Sequence, residues 1–204
     1  GNAKQPTVTV KDGTTTLVSG TDYTVAYKDN INVGIATVVI TGKGNYSGEI
    51  TKVFTIAKAN IKVTLSNYSG TYDRKSHTFG LTTAPSANVT IYYSSSTALT
   101  SSNYSSAGST TKPTRTKAGT TTVYYYVKDS SGNYNDYASN ANSKNASIKI
   151  TAKALTSTDL TVALSNSTYE YNKTERKPDV TITDGTYTLV KGTDFSVTYT
   201  NNIN

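Results

Sequence analysis

The 204-residue sequence contains no cysteine, no methionine, no tryptophan and a single histidine. Without cysteine there can be no disulfide framework, thiolate metal site or cysteine nucleophile. One histidine cannot supply a metal site that needs several imidazole ligands, and any triad that uses histidine would have to use His77. We therefore expect a protein that is not an enzyme, with no catalytic residues, no metal site and no cofactor.

Long apolar runs are also missing. No segment approaches the roughly 18–20 apolar residues that cross a bilayer, and no signal segment is present. Since the sequence does not begin with methionine, we expect it to be a piece of a longer chain. The net charge of +7 comes from scattered lysines and arginines rather than a basic block, which favours solubility over nucleic-acid binding and leaves attraction to anionic wall polymers as the alternative. Such a Cys-free, Thr/Ser/Asn/Tyr-rich chain is typical of an exported bacterial protein.

Internal repetition is the strongest signal in the sequence. The segment from Pro6 to Asn32 aligns without a gap to the segment from Pro178 to Asn204, at a constant offset of 172 residues. A chance similarity would not keep one register over that length, so the two segments are expected to be copies of one structural unit. A weaker echo, at an offset of 99, relates Leu65-Ser66-Asn67 and Tyr72-Asp73-Arg74 to Leu164-Ser165-Asn166 and Tyr171-Asn172-Lys173.

The repeats divide the chain into three parts. We predict that residues 1–57 form a repeat that lacks its first strand, that residues 58–153 form a complete middle domain, and that residues 154–204 form the N-terminal part of another repeat. Because unpaired strand edges seek partners, we also predict that the tail of one copy of the chain completes the head of another, in head-to-tail association.

Apolar and polar residues alternate along most of the chain, which predicts strands. Hairpin turns are predicted at Asp12-Gly13 and Asp184-Gly185, where glycine supplies a positive φ, and no segment keeps a helical period. The fold class predicted is all-β, built from small β-sandwich modules. The alternation is clearest at Val8/Val10, Tyr23/Val25/Tyr27, Ala36/Val38/Ile40, Ile61/Val63/Leu65, Val89/Ile91/Tyr93, Val123/Tyr125/Val127, Ile148/Ile150 and Phe195/Val197/Tyr199.

Three runs of the first repeat, Gly20–Tyr27, Gly34–Gly42 and Gly44–Gly48, resemble the tandem Ig-like repeats of large surface proteins in gut Firmicutes. The middle part, with Tyr72–Lys75 and Val123–Val127, resembles a companion Ig-like type interleaved with them. The resemblance implies an elongated rod of Ig-like modules from a Gram-positive protein, extracellular and secreted or attached to the cell wall. It further implies a structural or adhesive stalk that acts as a spacer and projects a distal domain.

The tyrosine-rich strands have two interpretations. Tyr92, Tyr93, Tyr124 and Tyr126 lie on runs that place aromatic rings on both strand faces. They can build the core of a thin domain that lacks tryptophan, with each hydroxyl group reaching water. They can instead form an exposed platform on which sugar rings stack, which would make the chain a carbohydrate- or host-protein-binding module.

Lys52 interrupts the pattern of its predicted strand, because Ile50, Phe54 and Ile56 share its face. A lysine turned inward needs a carboxylate partner or must lose its proton. One hypothesis is therefore an intramolecular isopeptide bond from Lys52 to an Asn or Asp, as occurs in Gram-positive stalk domains. The alternative is that the aliphatic stem packs while the ammonium group reaches solvent.

Two further sites have ordinary structural interpretations. His77 is in phase with Phe79 and Leu81, which predicts a half-buried or solvated strand residue. The run from Asp129 to Asp136 offers side-chain oxygens at alternate positions, as calcium loops do, but it lacks the glycine and glutamate of an EF-hand at the required places. A plain hairpin turn is predicted there, without calcium.

Overall fold

The computed structural model describes residues 1–203, apart from the side chain of Asn142. Strands account for 44% of the chain and helix for 3%, which confirms the predicted all-β class. The chain folds into two compact units. Unit 1 contains Gly1–Gly70 and Arg74–Ile150, and unit 2 contains Thr71–Asp73 and the chain from Thr151 onward. A further division of unit 1 near residue 58 stays a prediction.

The first repeat in unit 1 contains a small hairpin and a three-stranded antiparallel sheet in the order β3-β4-β5. Gly13, at φ 58°, makes the turn of the hairpin, as its sequence predicts. Tyr23, Ala36 and Val38, which belong to the strands of this sheet, are buried. The strands are β1 (Lys11–Asp12), β2 (Thr15–Thr16), β3 (Tyr23–Lys28), β4 (Gly34–Gly42) and β5 (Glu49–Ile56).

The middle part of unit 1 is organised around one 11-residue strand, β11. Its second half pairs with β10 and its first half with β14, while β7 pairs with β9 and β6 with β12. The elements are β6 (Ala59–Asn60), β7 (Lys62–Ser66), β8 (Tyr68–Thr71), β9 (Gly80–Ala84), β10 (Val89–Ser94), α1 (Tyr104–Ala107), β11 (Gly119–Asp129), β12 (Tyr134–Asn135), β13 (Tyr137–Ala138), a 3-10 turn (Asn140–Asn142) and β14 (Ala146–Thr151).

The core of the middle part follows from the alternation along β11. Val123, Tyr125 and Val127 point to one face and are completely buried. Each large apolar side chain buried in this way contributes about 1.5–3 kcal/mol, so this face is the main stabilising layer of the domain. The full cluster comprises Ile61, Phe79, Tyr93, Val123, Tyr125, Val127, Ala146 and Ile148.

Unit 2 contains one three-stranded antiparallel sheet, in the order β15-β16-β17. Its strands are β15 (Leu160–Leu164), β16 (Val180–Asp184) and β17 (Tyr187–Thr188). Ile182 and Phe195 are its buried apolar side chains. Lys153 is held between the carboxylates of Asp159 and Asp184, which raises its pKa.

The repeat at an offset of 172 residues reappears as matched hydrogen bonds in the two units. The same donors and acceptors recur at equivalent positions with nearly the same distances, so the two segments share these turns and side-chain anchors. The pairs are Leu17 N to Val10 O (2.9 Å) and Leu189 N to Ile182 O (2.8 Å), Val18 N to Asp22 Oδ2 (2.7 Å) and Val190 N to Asp194 Oδ2 (2.8 Å), Gly20 N to Tyr23 O (2.7 Å) and Gly192 N to Phe195 O (2.8 Å), and Tyr27 Oη to Pro6 O (2.6 Å) and Tyr199 Oη to Pro178 O.

Two strands predicted from alternation do not form. Val8–Val10 is not a strand although its copy Val180–Ile182 pairs with β15, and Val197–Tyr199 is not a strand although its copy Val25–Tyr27 pairs with β4. Alternation alone does not make a strand, since backbone N–H and C=O groups need a pairing partner. Whether copies of the chain supply one another's partners stays a prediction.

Candidate functional site

The loop that looked like the start of a calcium site is closed by its own hydrogen bonds. We call residues 129–136 the junction loop. Asp129, only 6% exposed, accepts hydrogen bonds at Oδ1 from Ser131 N (3.0 Å) and Ser131 Oγ (2.8 Å), and at Oδ2 from Tyr134 N (3.1 Å). Gly132, at φ 78°, makes the turn between them. Among residues 1–203 there is no group of three or more His, Cys, Asp or Glu side chains that could hold a metal ion.

Asp136 closes the other end of the junction loop. Its Oδ1 accepts a hydrogen bond from Asp129 N (2.9 Å), and its Oδ2 accepts bonds from Tyr126 Oη and Lys128 Nζ, both at 2.8 Å. Three donors from the end of β11 therefore converge on one carboxylate. Since hydrogen bonds to a charged group are worth about 1.5–3 kcal/mol, Asp136 supports the loop together with Asp129.

The two loop carboxylates share one electrostatic pattern. Burial by itself raises the pKa of Asp136, but the hydrogen bonds from Lys128, the Asp129 amide and Tyr126 outweigh it and leave that pKa below its ordinary value. Burial likewise raises the pKa of Asp129, and the bonds from Ser131 and the Tyr134 amide outweigh it. Both groups are therefore held as carboxylates, the form that keeps the loop closed.

The closed junction loop uses two asparagines to contact the first repeat and strand β6. Asn133 Oδ1 accepts a hydrogen bond from Val33 N (2.8 Å), and its Nδ2 donates to Asn32 Oδ1 (3.2 Å). These two residues lie just before β4 in the first repeat. Asn135 Nδ2 donates to Asn60 Oδ1 at 2.9 Å.

The main chain of the junction loop reinforces these contacts. Asn133 O accepts a hydrogen bond from Ala59 N at 3.0 Å. The two-residue strands β6 and β12 pair in parallel, with Ala59 beside Tyr134 and Asn60 beside Asn135. The loop therefore contacts residues 32–33 of the first repeat and residues 59–60, which open the middle part of unit 1.

Two of the tyrosines proposed for an exposed platform are buried. Tyr93 is 8% exposed and packs edge-on against Phe79, with ring centroids 5.9 Å apart. Tyr126 is 3% exposed and lies under Tyr104, with the rings parallel and 4.7 Å apart. Tyr93 is thus a core residue, and Tyr126 serves the junction loop through Asp136.

The other two tyrosines are half-buried. Tyr92 lies beside Tyr126 in the sheet and meets the ring of Tyr104 edge-on at 4.9 Å. Tyr124 is on the same strand face as Tyr126, opposite Ser94. On this face the rings of Tyr92, Tyr104 and Tyr126 pack on one another, and a ligand platform at Tyr92 and Tyr124 stays a prediction.

Lys52 is exposed on β5, where the register places it beside Val38. It shares a face with Ile50 and Phe54, as the sequence pattern indicates, but β5 is the edge of its sheet and its side chains reach solvent. The isopeptide bond stays a prediction. Intact mass decides it, because a bond from lysine to asparagine removes one ammonia.

His77 has a structural environment. It is half-buried and stacks on Tyr68, with ring centroids 4.2 Å apart and planes 15° from parallel. Its backbone exchanges two hydrogen bonds with Arg115, both at 2.9 Å. The ring therefore packs against Tyr68 of β8, while the backbone of His77 pairs with that of Arg115.

Comparison of the chain with protein families, with curated proteins and with solved structures finds no match. Within residues 1–203, no helix combines the length and the apolar character needed to cross a membrane. Any function assigned to the chain must therefore be argued from its own residues.

Proposed function

We propose that the chain is a stalk segment of a secreted or wall-attached bacterial surface protein, in which tandem Ig-like β-sandwich modules act as a spacer that projects a distal domain. The supporting observation is the junction loop. A spacer transmits direction only if neighbouring modules resist bending, and the two bonds from Asn133 to residues 32 and 33 restrain the point where bending would occur.

The composition of the junction supports this role over that of a transient contact. The side-chain bonds run between amide groups and backbone, so they do not depend on opposed charges that salt would screen. The carboxylates of Asp129 and Asp136 accept hydrogen bonds from backbone amides of the loop itself and hold it in this conformation. The junction loop is therefore already ordered before the first repeat contacts it, which limits the conformational entropy lost when the contact forms.

The repeats support the spacer as well. In the sequence, two copies of one repeat with matched hydrogen bonds precede and follow a different middle part, an order typical of modular arrays. In arrays of this kind each unit contacts mainly its neighbours, and length is set by the number of units. Length and direction are the two properties that a spacer needs.

A distance measurement between spin labels tests the proposal. Because the chain has no cysteine, single cysteines at the exposed positions Thr51 and Thr122 give one labelled pair across the junction. We expect a narrow distance distribution for the full chain. Asn133→Ala should broaden it, whereas Asn45→Ala, at an exposed turn of the first repeat, should leave it unchanged. A broad distribution before any substitution at the junction would refute a stiff spacer.

A further inference from the structure

Unit 2 contains a pocket whose walls combine aromatic, amide and charged side chains. It has a volume of about 260 Å³ and is lined by Tyr169, Glu170, Tyr171, Asn172, Arg176, Asn202 and Ile203. Pockets for drug-sized ligands take roughly 300–1,000 Å³. This pocket therefore suits a ligand of about one ring.

One wall of the pocket rests on a pairing that both repeats contain. Arg176 N donates to Asn202 O at 2.8 Å, and Asn202 Nδ2 donates back to Arg176 O at 3.2 Å. Lys4 and Asn30 make the same reciprocal pair in the first repeat, at 2.7 and 2.9 Å. The wall is thus a framework feature of the repeat.

The other wall is tied to this framework by the Arg176 side chain. Its Nη2 donates to Glu170 O at 2.8 Å, and its guanidinium carbon lies 5.3 Å from the centroid of the Tyr169 ring. A planar guanidinium group that is bonded at one end and stacked on an aromatic ring holds a fixed orientation. Arg176 therefore sets the position of the residues that follow Tyr169.

The exposed groups at the pocket suit a neutral, hydroxyl-rich ring. Tyr171 is 70% exposed and Tyr169 is 40% exposed, so two aromatic side chains face solvent within three residues. Within residues 1–203, neither the Glu170 carboxylate nor Asn172 Nδ2 has a hydrogen-bond partner, so an acceptor and a donor remain available. The charges of Glu170 and Arg176 offset one another, which gives no preference for an ionic ligand.

We propose that this pocket binds one pyranose ring of a neutral polysaccharide. The apolar C–H face of the sugar packs on the Tyr171 ring, which offers an apolar face and a polar edge. The sugar hydroxyls exchange hydrogen bonds with Glu170 and Asn172. This function goes beyond that of a spacer, and it places glycan contact away from Tyr92 and Tyr124. It does not depend on the stiffness of the junction.

The test uses the full chain, labelled with ¹⁵N, and three probes added separately at millimolar concentration: chitohexaose, cellohexaose and mannohexaose. We expect at least one probe to shift the amide signals of residues 169–172 and 202–203 while the signals of unit 1 stay in place. Tyr171→Ala should weaken binding about tenfold, the loss of one aromatic contact. Tyr171→Phe should retain it, because the ring remains.

The controls separate binding from folding. Tyr187→Ala removes another exposed tyrosine of unit 2, outside the pocket, and should bind as the unmodified chain does. Glu170→Gln, a change that preserves shape, should weaken binding severalfold and serves as the second variant if Tyr171→Ala disturbs the spectrum of unit 2. Absence of shifts with all three probes would overturn the proposal, as would equal binding by Tyr171→Ala or stronger binding of the anionic probe polygalacturonate.

Discussion

The side-chain oxygen of Asn133 accepts a hydrogen bond from the backbone N–H of Val33, 100 positions earlier in the chain, at 2.8 Å. Within unit 1, the bond joins the junction loop to the residue before β4 in the first repeat. Because the donor is a main-chain group, its presence does not depend on which side chain occupies position 33. A substitution at position 133 can therefore remove the acceptor of this bond, whereas a change of side chain at position 33 leaves the donor in place.

Asn133→Ala should free the Val33 amide. Each of the two side-chain bonds of Asn133 contributes about 0.5–1.5 kcal/mol, so we expect unit 1 to lose roughly that amount per bond. Hydrogen exchange at the Val33 amide should accelerate while exchange in the core of β11 changes little. Asn45→Ala is the control. An unchanged exchange rate at Val33 in Asn133→Ala would show that the bond does not protect this amide.

Asp136→Asn should weaken the hydrogen bonds that close the junction loop. The amide group keeps one oxygen but turns an N–H₂ donor toward Tyr126, Lys128 or the Asp129 amide, all of which donate. We expect a loss of about 1–3 kcal/mol in the free energy of unfolding, measured by urea denaturation. Asp29→Asn, at an exposed position with a positive φ that asparagine accepts, should be nearly neutral. Equal losses in the two variants would contradict the role of Asp136.

The same carboxylates make the junction sensitive to acid. The pKa values of Asp129 and Asp136 lie below their ordinary values in the folded protein, and an unfolded aspartate titrates at about 3.9. Their contribution to stability is therefore complete above about pH 4 and is lost as the pH falls through the folded-state values. Side-chain carboxyl signals followed by NMR against pH give these values directly. Titration of Asp136 at or above the ordinary value would show the sign to be wrong.

Ser139→Ala should destabilise the middle domain. Ser139 is completely buried, accepts a hydrogen bond from Tyr125 N at 2.9 Å and donates one to Asn145 Oδ1 at 2.9 Å. Just after the end of β13, the Ser139 hydroxyl group accepts the hydrogen bond from Tyr125 N that a backbone carbonyl would otherwise accept. Removal leaves a buried N–H without a partner and should cost about 1–3 kcal/mol, measured by thermal or urea unfolding. A change at the exposed Ser106 is the matched control, and a neutral Ser139→Ala would mean that another group replaces the hydroxyl.

Asp22→Ala and Asp194→Ala test the structural equivalence of the repeats. Each carboxylate accepts a hydrogen bond from a backbone amide four residues earlier, at 2.7 and 2.8 Å. We expect similar losses of about 0.5–1.5 kcal/mol, each confined to its own unit and read from the amide signals of that unit during denaturation. A loss of stability in one unit only would mean that the two bonds, although alike in geometry, do not contribute equally to stability.

The sequence predicted the features that depend on neighbouring residues. Alternation identified β3, β4 and β11, and the Asp-Gly pairs marked both hairpin turns, because side-chain direction and turn geometry follow from local chemistry. The alignment at an offset of 172 residues predicted which residues of the two repeats are equivalent, and the matched hydrogen bonds join those residues. The same reasoning was wrong at Val8–Val10 and Val197–Tyr199, where strand formation depends on a partner that alternation does not reveal.

The junction was not predicted, although its residues were noticed. The oxygens from Asp129 to Asp136 indicated a turn with a resemblance to a cation loop, and the turn is present. What the spacing could not show is that Asn133 and Asn135 face residues 32–33 and 60, since contacts between distant segments depend on how domains meet. Ser139 was missed for a similar reason, because nothing in its local sequence marks it as buried.

The parallel ladder of β6 and β12 has a mechanical consequence. Tension that enters through residues 57–60 would load these two short strands before it reaches the long antiparallel pairing of β10 with β11. A two-residue ladder has far fewer hydrogen bonds to break, so residues 57–60 would separate from β12 first and lengthen the extended chain by a few residues. The middle domain would keep its core intact during a brief pull and could re-form the ladder when the force is released.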